Sequence, residues 1–115
     1  MDYRLAIPTP DGKRIAGYLE HADYIIVFGI EEDRVAGWEI RDRRDQHRLG
    51  IQSLLPLPCI EDCRYLIAGI LGDTLQRMCR ENDIRCFETE IETVTEVLDA
   101  WFKGEFIPEL LQEAA

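Results

Sequence analysis

The sequence predicts an α/β domain of three layers: a five-stranded mixed sheet with helices on both faces, in the element order β-β-β-α-β-α-β-α. Three observations carry this. The first forty residues are alternating or β-branched runs separated by short polar turns, the pattern of an antiparallel meander. Residues 65–70 (Tyr-Leu-Ile-Ala-Gly-Ile) are apolar almost throughout, as a parallel strand covered on two faces must be. Beyond them the apolar period becomes helical, with one short strand between two helices. A chain of 115 residues with 46% hydrophobic side chains is sized for one core. Residues 1–106 are therefore expected to form a single domain and 107–115 a C-terminal tail.

Taken in order, residues 3–7 alternate and are expected to stop at Pro8. Thr9-Pro10-Asp11-Gly12 is turn chemistry, with proline setting a negative φ and glycine supplying a positive one. Residues 13–21 connect, with a short strand around 14–16. Residues 23–30 (Asp-Tyr-Ile-Ile-Val-Phe-Gly-Ile) are the strongest strand. Glu31-Glu32-Asp33 turns the chain into a third strand at 34–41, with Ala36, Trp38 and Ile40 on one face. Residues 42–50 read as a polar mobile loop. Residues 53–63 hold Leu54, Leu55, Leu57 and Ile60 but also Pro56 and Pro58. Proline inside a helix costs about 3 kcal/mol, so a helix here starts late, with Pro58 in its first turn. The strand at 65–70 is placed beside the first strand, at the centre. Gly72-Asp73 opens a helix with Leu71, Leu75, Met78 and Cys79 at helical spacing. Asn82-Asp83 ends it, asparagine tolerating the left-handed cap. Residues 84–87 form a short strand. Thr89 and Glu92 fit a capping box for a last helix that buries Ile91, Val94, Leu98 and Trp101 and closes at Gly104.

Charge narrows the partners. With 23 acidic and 13 basic side chains the chain carries −10. Nucleic acid and anionic membrane surfaces both need a basic face, so neither is expected as a partner. The chain opens Met-Asp-Tyr-Arg, without the basic and apolar regions of a secretory signal, and no run approaches the ~18 apolar residues of a membrane helix. A cytoplasmic location with reduced cysteines is the expectation.

Several residues are candidates for chemistry. Cys59 and Cys63 are four apart, so on a helix they share a face and two thiolates there can share a metal or edge-bind an iron–sulfur cluster. The overall spacing C-x3-C-x15-C-x6-C is neither a zinc ribbon nor a ferredoxin pattern, and buried cysteine also serves as a small hydrophobe. His21 lies in a loop, where an imidazole suits iron. Residues 41–48 hold four arginines and His47 against two aspartates, a local +2 that leaves −12 for the rest of a chain summing to −10. Arg43 and Arg44 with His47 are thus candidates to hold an anion; the alternative is that the aspartates neutralise the arginines locally. Gly69 and Gly72 flank a strand-to-helix turn whose amides can face an anion, or serve packing alone. Acid-driven metal nucleases need carboxylates converging on the sheet, and the first strand offers only Asp2 at its start. The Glu88, Glu90 and Glu92 series reads as helix-start or solvated charge.

The opening Leu5-Ala6-Ile7-Pro8-Thr9-Pro10-Asp11-Gly12, the strand at 22–28, the segment Ile67-Ala68-Gly69-Ile70-Leu71-Gly72, the helix and strand over 75–86, and the stretch 97–105 together resemble the dinitrogenase iron–molybdenum cofactor biosynthesis family. The match spans residues 4–106. The resemblance implies a ribonuclease-H-like fold and a non-enzymatic protein that carries an iron–sulfur or iron–molybdenum cluster, or a precursor, as transient cargo between metallocluster donor and acceptor proteins. Many members carry a His-Phe-Gly segment before the second strand whose histidine is the expected ligand. Here Gly17-Tyr18-Leu19-Glu20-His21 stands in its place, with Tyr18 at the histidine and Glu20 at the glycine. Either His21, three residues on, takes the ligand role, or the protein is a partner-binding or regulatory module that has lost the cluster site. Because such cofactors are anionic, the resemblance also makes Tyr18, His21, Arg43, Arg44, His47, Gly69 and Gly72 the expected contacts.

Overall fold

The computed structural model describes residues 2–17, 22–44 and 60–106. They form one five-stranded sheet in the order β3-β2-β1-β4-β5, built from β1 (Tyr3–Thr9), β2 (Tyr24–Glu31), β3 (Arg34–Asp42), β4 (Tyr65–Ala68) and β5 (Arg85–Glu88). Helix α1 (Asp73–Glu81) connects β4 to β5, and α2 (Val94–Phe102) follows β5. β1 runs antiparallel to β2 and parallel to β4, so the first strand is central, as its sequence predicts. The helix expected within 53–63 lies outside the described residues apart from its end at 60–63, where the Cys63 amide closes a turn on the Ile60 carbonyl at 2.8 Å, and the tail at 107–115 lies outside them too. Among the described residues no helix is long and apolar enough to cross a membrane.

Two cores follow from the pleat. Successive side chains of a strand face opposite sides, so Ala6, Ile25, Val27, Leu66 and Ala68 meet Leu75 and Cys79 of α1. Leu5, Ile7, Ile26, Phe28, Tyr65 and Ile67 meet Val94, Val97 and Trp101 of α2. β1, β2 and β4 are thus buried on both faces, which explains their unbroken apolar runs. Each fully buried Leu or Ile contributes about 1.5–3 kcal/mol. The α2 layer is aromatic at its centre: Trp101 stacks edge-on to Tyr65 at 4.9 Å and donates its indole N–H to the Tyr3 hydroxyl at 2.8 Å. That bond satisfies the one polar group the indole brings into the core.

Four local expectations are corrected. β1 does not stop at Pro8 but runs to Thr9. The Pro8 carbonyl accepts from the Ala16 amide at 2.9 Å on the β4 side, so the nitrogen of the same residue also faces away from β2 and the β1–β2 ladder loses no donor. Next, β3 extends to Asp42, and a bulge pairs Gly29 with Gly37 but Ile30 with Val35. Ala36 is the extra residue, and Val35 joins Trp38 and Ile40 on the α2 face of this edge strand. The N-cap of α2 is Thr93 with Glu96, not Thr89 with Glu92: the Thr93 hydroxyl accepts from the Glu96 amide at 3.3 Å and donates to its carboxylate at 2.7 Å. Residues 92–94 are drawn back to pair with the 13–15 segment, which delays the helix. Finally, the left-handed residue after α1 is Asp83 (φ 60°), not Asn82.

Both helices end in the same way. After α1 the Ile84 amide donates to the Cys79 carbonyl (2.8 Å) and the Asp83 amide to Arg80 (3.3 Å). After α2 the Glu105 amide donates to Ala100 (3.1 Å) and the Gly104 amide to Trp101 (3.0 Å). These are Schellman closures, with the positive-φ position held by Gly104 in one and by Asp83 in the other. Only glycine meets that φ without a Cβ penalty. Asp83→Gly should therefore stabilise the protein by about 0.5–1 kcal/mol, and Gly104→Ala should destabilise it by a similar amount or more. Urea denaturation with an unchanged m-value checks both.

Candidate functional site

The carboxyl ends of the three parallel strands lie together at Thr9, Ala68 and Glu88. β2 begins where β1 ends (Thr9 opposite Tyr24), and β3 ends against that beginning (Tyr24 opposite Asp42). One end of the sheet therefore collects residues 9–17, 22–24, 42–44, 69–72 and 88–93. In open α/β sheets this is the end at which ligands bind.

The segment after β1 is built by its turn. The buried Thr9 hydroxyl accepts from the Gly12 amide at 2.8 Å, and the Asp11 carboxylate accepts from the amides of Lys13 and Arg14, each at 2.9 Å, and from the Arg14 guanidinium. Those bonds, led by the Arg14 amide, hold the Asp11 carboxyl at about 2, so it is ionised at any physiological pH. The chain then passes over the ends of β1 and β4. The Gly69 amide donates to the Ala16 carbonyl (3.3 Å) and the Ile70 amide to the Gly17 carbonyl (2.7 Å). A Cβ on Gly69 would lie 3.0 Å from the Gly17 carbonyl oxygen and 3.1 Å from both that of Ala16 and the Gly17 Cα. Arg14, Gly17, Gly69, Ile70, Glu88 and Ile91 line an open cleft of about 1150 Å³ here.

The expected site residues fall into three groups. Tyr18, His21, His47 and Cys59 lie outside the described residues. The chain leaves toward 18–21 from Gly17, beside Ile70, and returns at Ala22, beside Arg43. Gly69, Gly72, Arg43 and Arg44 share the carboxyl end of the sheet. Gly69 is the glycine that packing demands; at Gly72, the N-cap of α1, an added Cβ meets nothing within 4 Å. Arg43 does not reach out into solvent. It is wholly buried, its amide donates to Asp23 at 2.6 Å and its Nη1 to the Ala22 carbonyl at 3.2 Å, so it ties the start of β2 to the end of β3. Arg44 is exposed, bound to Asp42 at 2.7 Å and set over the Tyr24 ring at 5.4 Å. Half-buried Arg41 is bound to Glu39 (2.6 Å) and Asp62 (2.7 Å), so the charges of both Arg44 and Arg41 are locally neutralised.

Cys63 stands apart. It precedes β4, at the opposite end of the sheet, and is buried in the α1-side core with its thiol directed at Asp62 Oδ1, 3.6 Å away. Burial, followed by the Asp62 charge, pushes that thiol up to about 12, so it stays protonated at neutral pH. Among the described residues no three His, Cys, Asp or Glu side chains converge as a metal site.

Glu88 is the contact that sequence reasoning missed. Its Oε1 accepts from the Leu71 amide at 3.0 Å, one residue before the α1 N-cap. Glu88 ends a strand rather than starting a helix, and the β4–β5 register, Ala68 opposite Glu88, is what aims it at the turn. A carboxylate thus already takes one amide of the glycine turn, the place where the sequence points to an anion.

The two glycines make a controlled comparison. Gly69→Ala should cost about 1–3 kcal/mol, because backbone on the opposing segment must move. Gly72→Ala should cost less than about 1 kcal/mol, the loss of a glycine N-cap. Urea midpoints of the two variants test this; equal costs would contradict the close approach at Gly69.

The chain matches the family model described as dinitrogenase iron–molybdenum cofactor over residues 1–104. No curated protein matches it. Among solved structures it is similar to a candidate dinitrogenase from Methanocaldococcus jannaschii, at 15% identity and a TM-score of 0.71 over 92% of this chain and 93% of that one. It is also similar to a candidate NifB protein from Thermotoga, at 19% identity and a TM-score of 0.62 over 89% of each chain. These structural likenesses are likenesses of fold. The family match, covering nearly the whole chain and the strands that build the carboxyl-end cleft, shows that the chain belongs to the dinitrogenase iron–molybdenum cofactor family.

Proposed function

We propose that this protein is a non-enzymatic carrier of an anionic iron–sulfur or iron–molybdenum cluster, or a precursor of one. It takes its cargo from a donor protein and releases it to an acceptor. Family membership supports a role in the cofactor pathway, and one structural observation supports the place. The flanks of residues 18–21 are both fixed at the carboxyl end of the sheet, Gly17 by Ile70 and Ala22 by Arg43. The residues that flank His21 thus belong to the end of the sheet that carries the glycine turn, and an imidazole suits a metal ligand. Transfer requires exchangeable binding, so a small ligand set suits a carrier better than a closed coordination shell.

A second reading, a partner-binding module of the same fold without cargo, is favoured by Tyr18 standing where the family histidine is expected. Anaerobic incubation with extracted cofactor, followed by gel filtration, separates the two. The carrier reading predicts co-elution of metal with the protein and charge-transfer absorption in the visible. It also predicts a loss of affinity of about tenfold or more in His21→Ala, at least the cost of disturbing a metal's surroundings. Absence of co-eluting metal would overturn the carrier and leave the partner module. Unchanged affinity in the variant would remove His21 from the ligand set.

A further inference from the structure

Cys79 and Cys86 are used by nothing described so far. Cys79 lies in the last turn of α1 and is fully buried; Cys86 lies on β5, is partly exposed and packs against the same core. The Schellman closure brings them together. The Ile84 amide returns to the Cys79 carbonyl, and two residues later Cys86 pairs with Leu66, whose side chain is in the core that α1 covers. Both sulfurs therefore belong to one packed cluster, Cys79 inside it and Cys86 against it. Cys86 also opens onto a second cleft, of about 950 Å³, at the amino ends of β4 and β5. This cleft lies at the opposite end of the sheet from the site above.

We propose that Cys79 and Cys86 form a reversible redox pair that closes into a disulfide by exchange with a low-molecular-weight disulfide. The proposal does not depend on the carrier reading. The two sulfurs have different roles. Cys86 is reached from solvent through that cleft; burial raises its thiol above the usual value, with Cys79 and Arg80 acting in the other direction. Cys79, held at about 12 by burial, is inert toward an external reagent and meets only its neighbour. Cys86 loses its proton to solvent, attacks one sulfur of the reagent and expels the other as thiolate, leaving a mixed disulfide. Cys79 then gives up its proton and attacks the Cys86 sulfur, and the second small thiolate departs. Two protein thiols are oxidised by two electrons, and one small disulfide is reduced to two thiols.

The bond would join the last turn of α1 to β5. These two elements are already joined at their other ends by Glu88 and the Leu71 amide, so oxidation would fasten the α1–β5 unit at both ends.

Glutathione disulfide applied to the reduced full-length protein tests the proposal by intact mass, denaturing alkylation and non-reduced peptide mapping. The expected product has lost about 2 Da, the two thiol protons, and carries a single link between the Cys79 and Cys86 peptides. Cys79→Ser should stop at a stable glutathione adduct on Cys86, and Cys86→Ser should leave Cys79 unmodified. A wild-type protein that keeps the adduct, links either cysteine to Cys59 or Cys63, or does not react at all would overturn the pairing. Circular dichroism of each variant before oxidation separates misfolding from lost chemistry. Should a variant misfold, the peptide map of the wild type decides alone.

Discussion

Ala16 and Gly17 lie so close to Gly69 that an added carbon would sit 3.0–3.1 Å from their backbone, and the carboxyl end of the sheet is organised by that contact. Two backbone hydrogen bonds across it continue the sheet beyond the last residues of β4. They carry the chain from the end of β1 over the end of β4, set one wall of the cleft, and release the chain toward residues 18–21 beside the glycine turn. A methyl group at position 69 would force the backbone of this segment to give way by a few tenths of an ångström. Glycine here is a matter of approach rather than of φ, whereas at Gly12 and Gly104 the backbone itself is left-handed.

The two ends of the sheet differ in chemistry. At the carboxyl end, backbone amides, glycines and arginine-braced turns surround an open cleft, and Glu88 already holds one amide. At the amino end, three thiols lie in or against the α1-side core. Asp62 there is held at about 2, first by its hydrogen bond with Arg41. Its folded value is below the unfolded one, so its contribution is present above about pH 4 and is lost as pH falls toward 2. The side chain is 43% exposed, which keeps that contribution within the ~0.2–1 kcal/mol of a surface pair. At the carboxyl end Asp11 and Asp42 are engaged by arginines and amides and Glu88 by the Leu71 amide, while exposed Glu90 and Glu92 also line the cleft.

Strand order and layer assignment were legible because they rest on long apolar runs. Residues 24–30 and 65–68 have one placement that buries both faces, and once they pair with β1 the topology follows. Details set by a tertiary partner were not legible. Ala36 is displaced by a bulge that depends on β2, the α2 start is moved from Thr89 to Thr93 by pairing with the 13–15 segment, and Pro8 stays in β1 because its nitrogen faces away from β2. Of the site, Gly69 was readable as a tight turn, but the bond from the Leu71 amide to Glu88 was not, since it spans seventeen residues and depends on the β4–β5 register. Arg43 shows the limit of charge counting: it reads as part of a basic loop, yet it is folded inside as a brace.

The claim that cargo meets this protein at the carboxyl end of the sheet is tested most directly by amide NMR of the labelled protein during anaerobic titration with extracted cofactor. The account predicts broadening or shifts at Gly17, Ala22, Gly69, Ile70 and Leu71, with Arg64, Arg85 and Cys86 at the opposite end unaffected. Perturbation centred on Arg64, Arg85 and Cys86, or none at Gly69 to Leu71 under conditions where metal co-elutes, would contradict it.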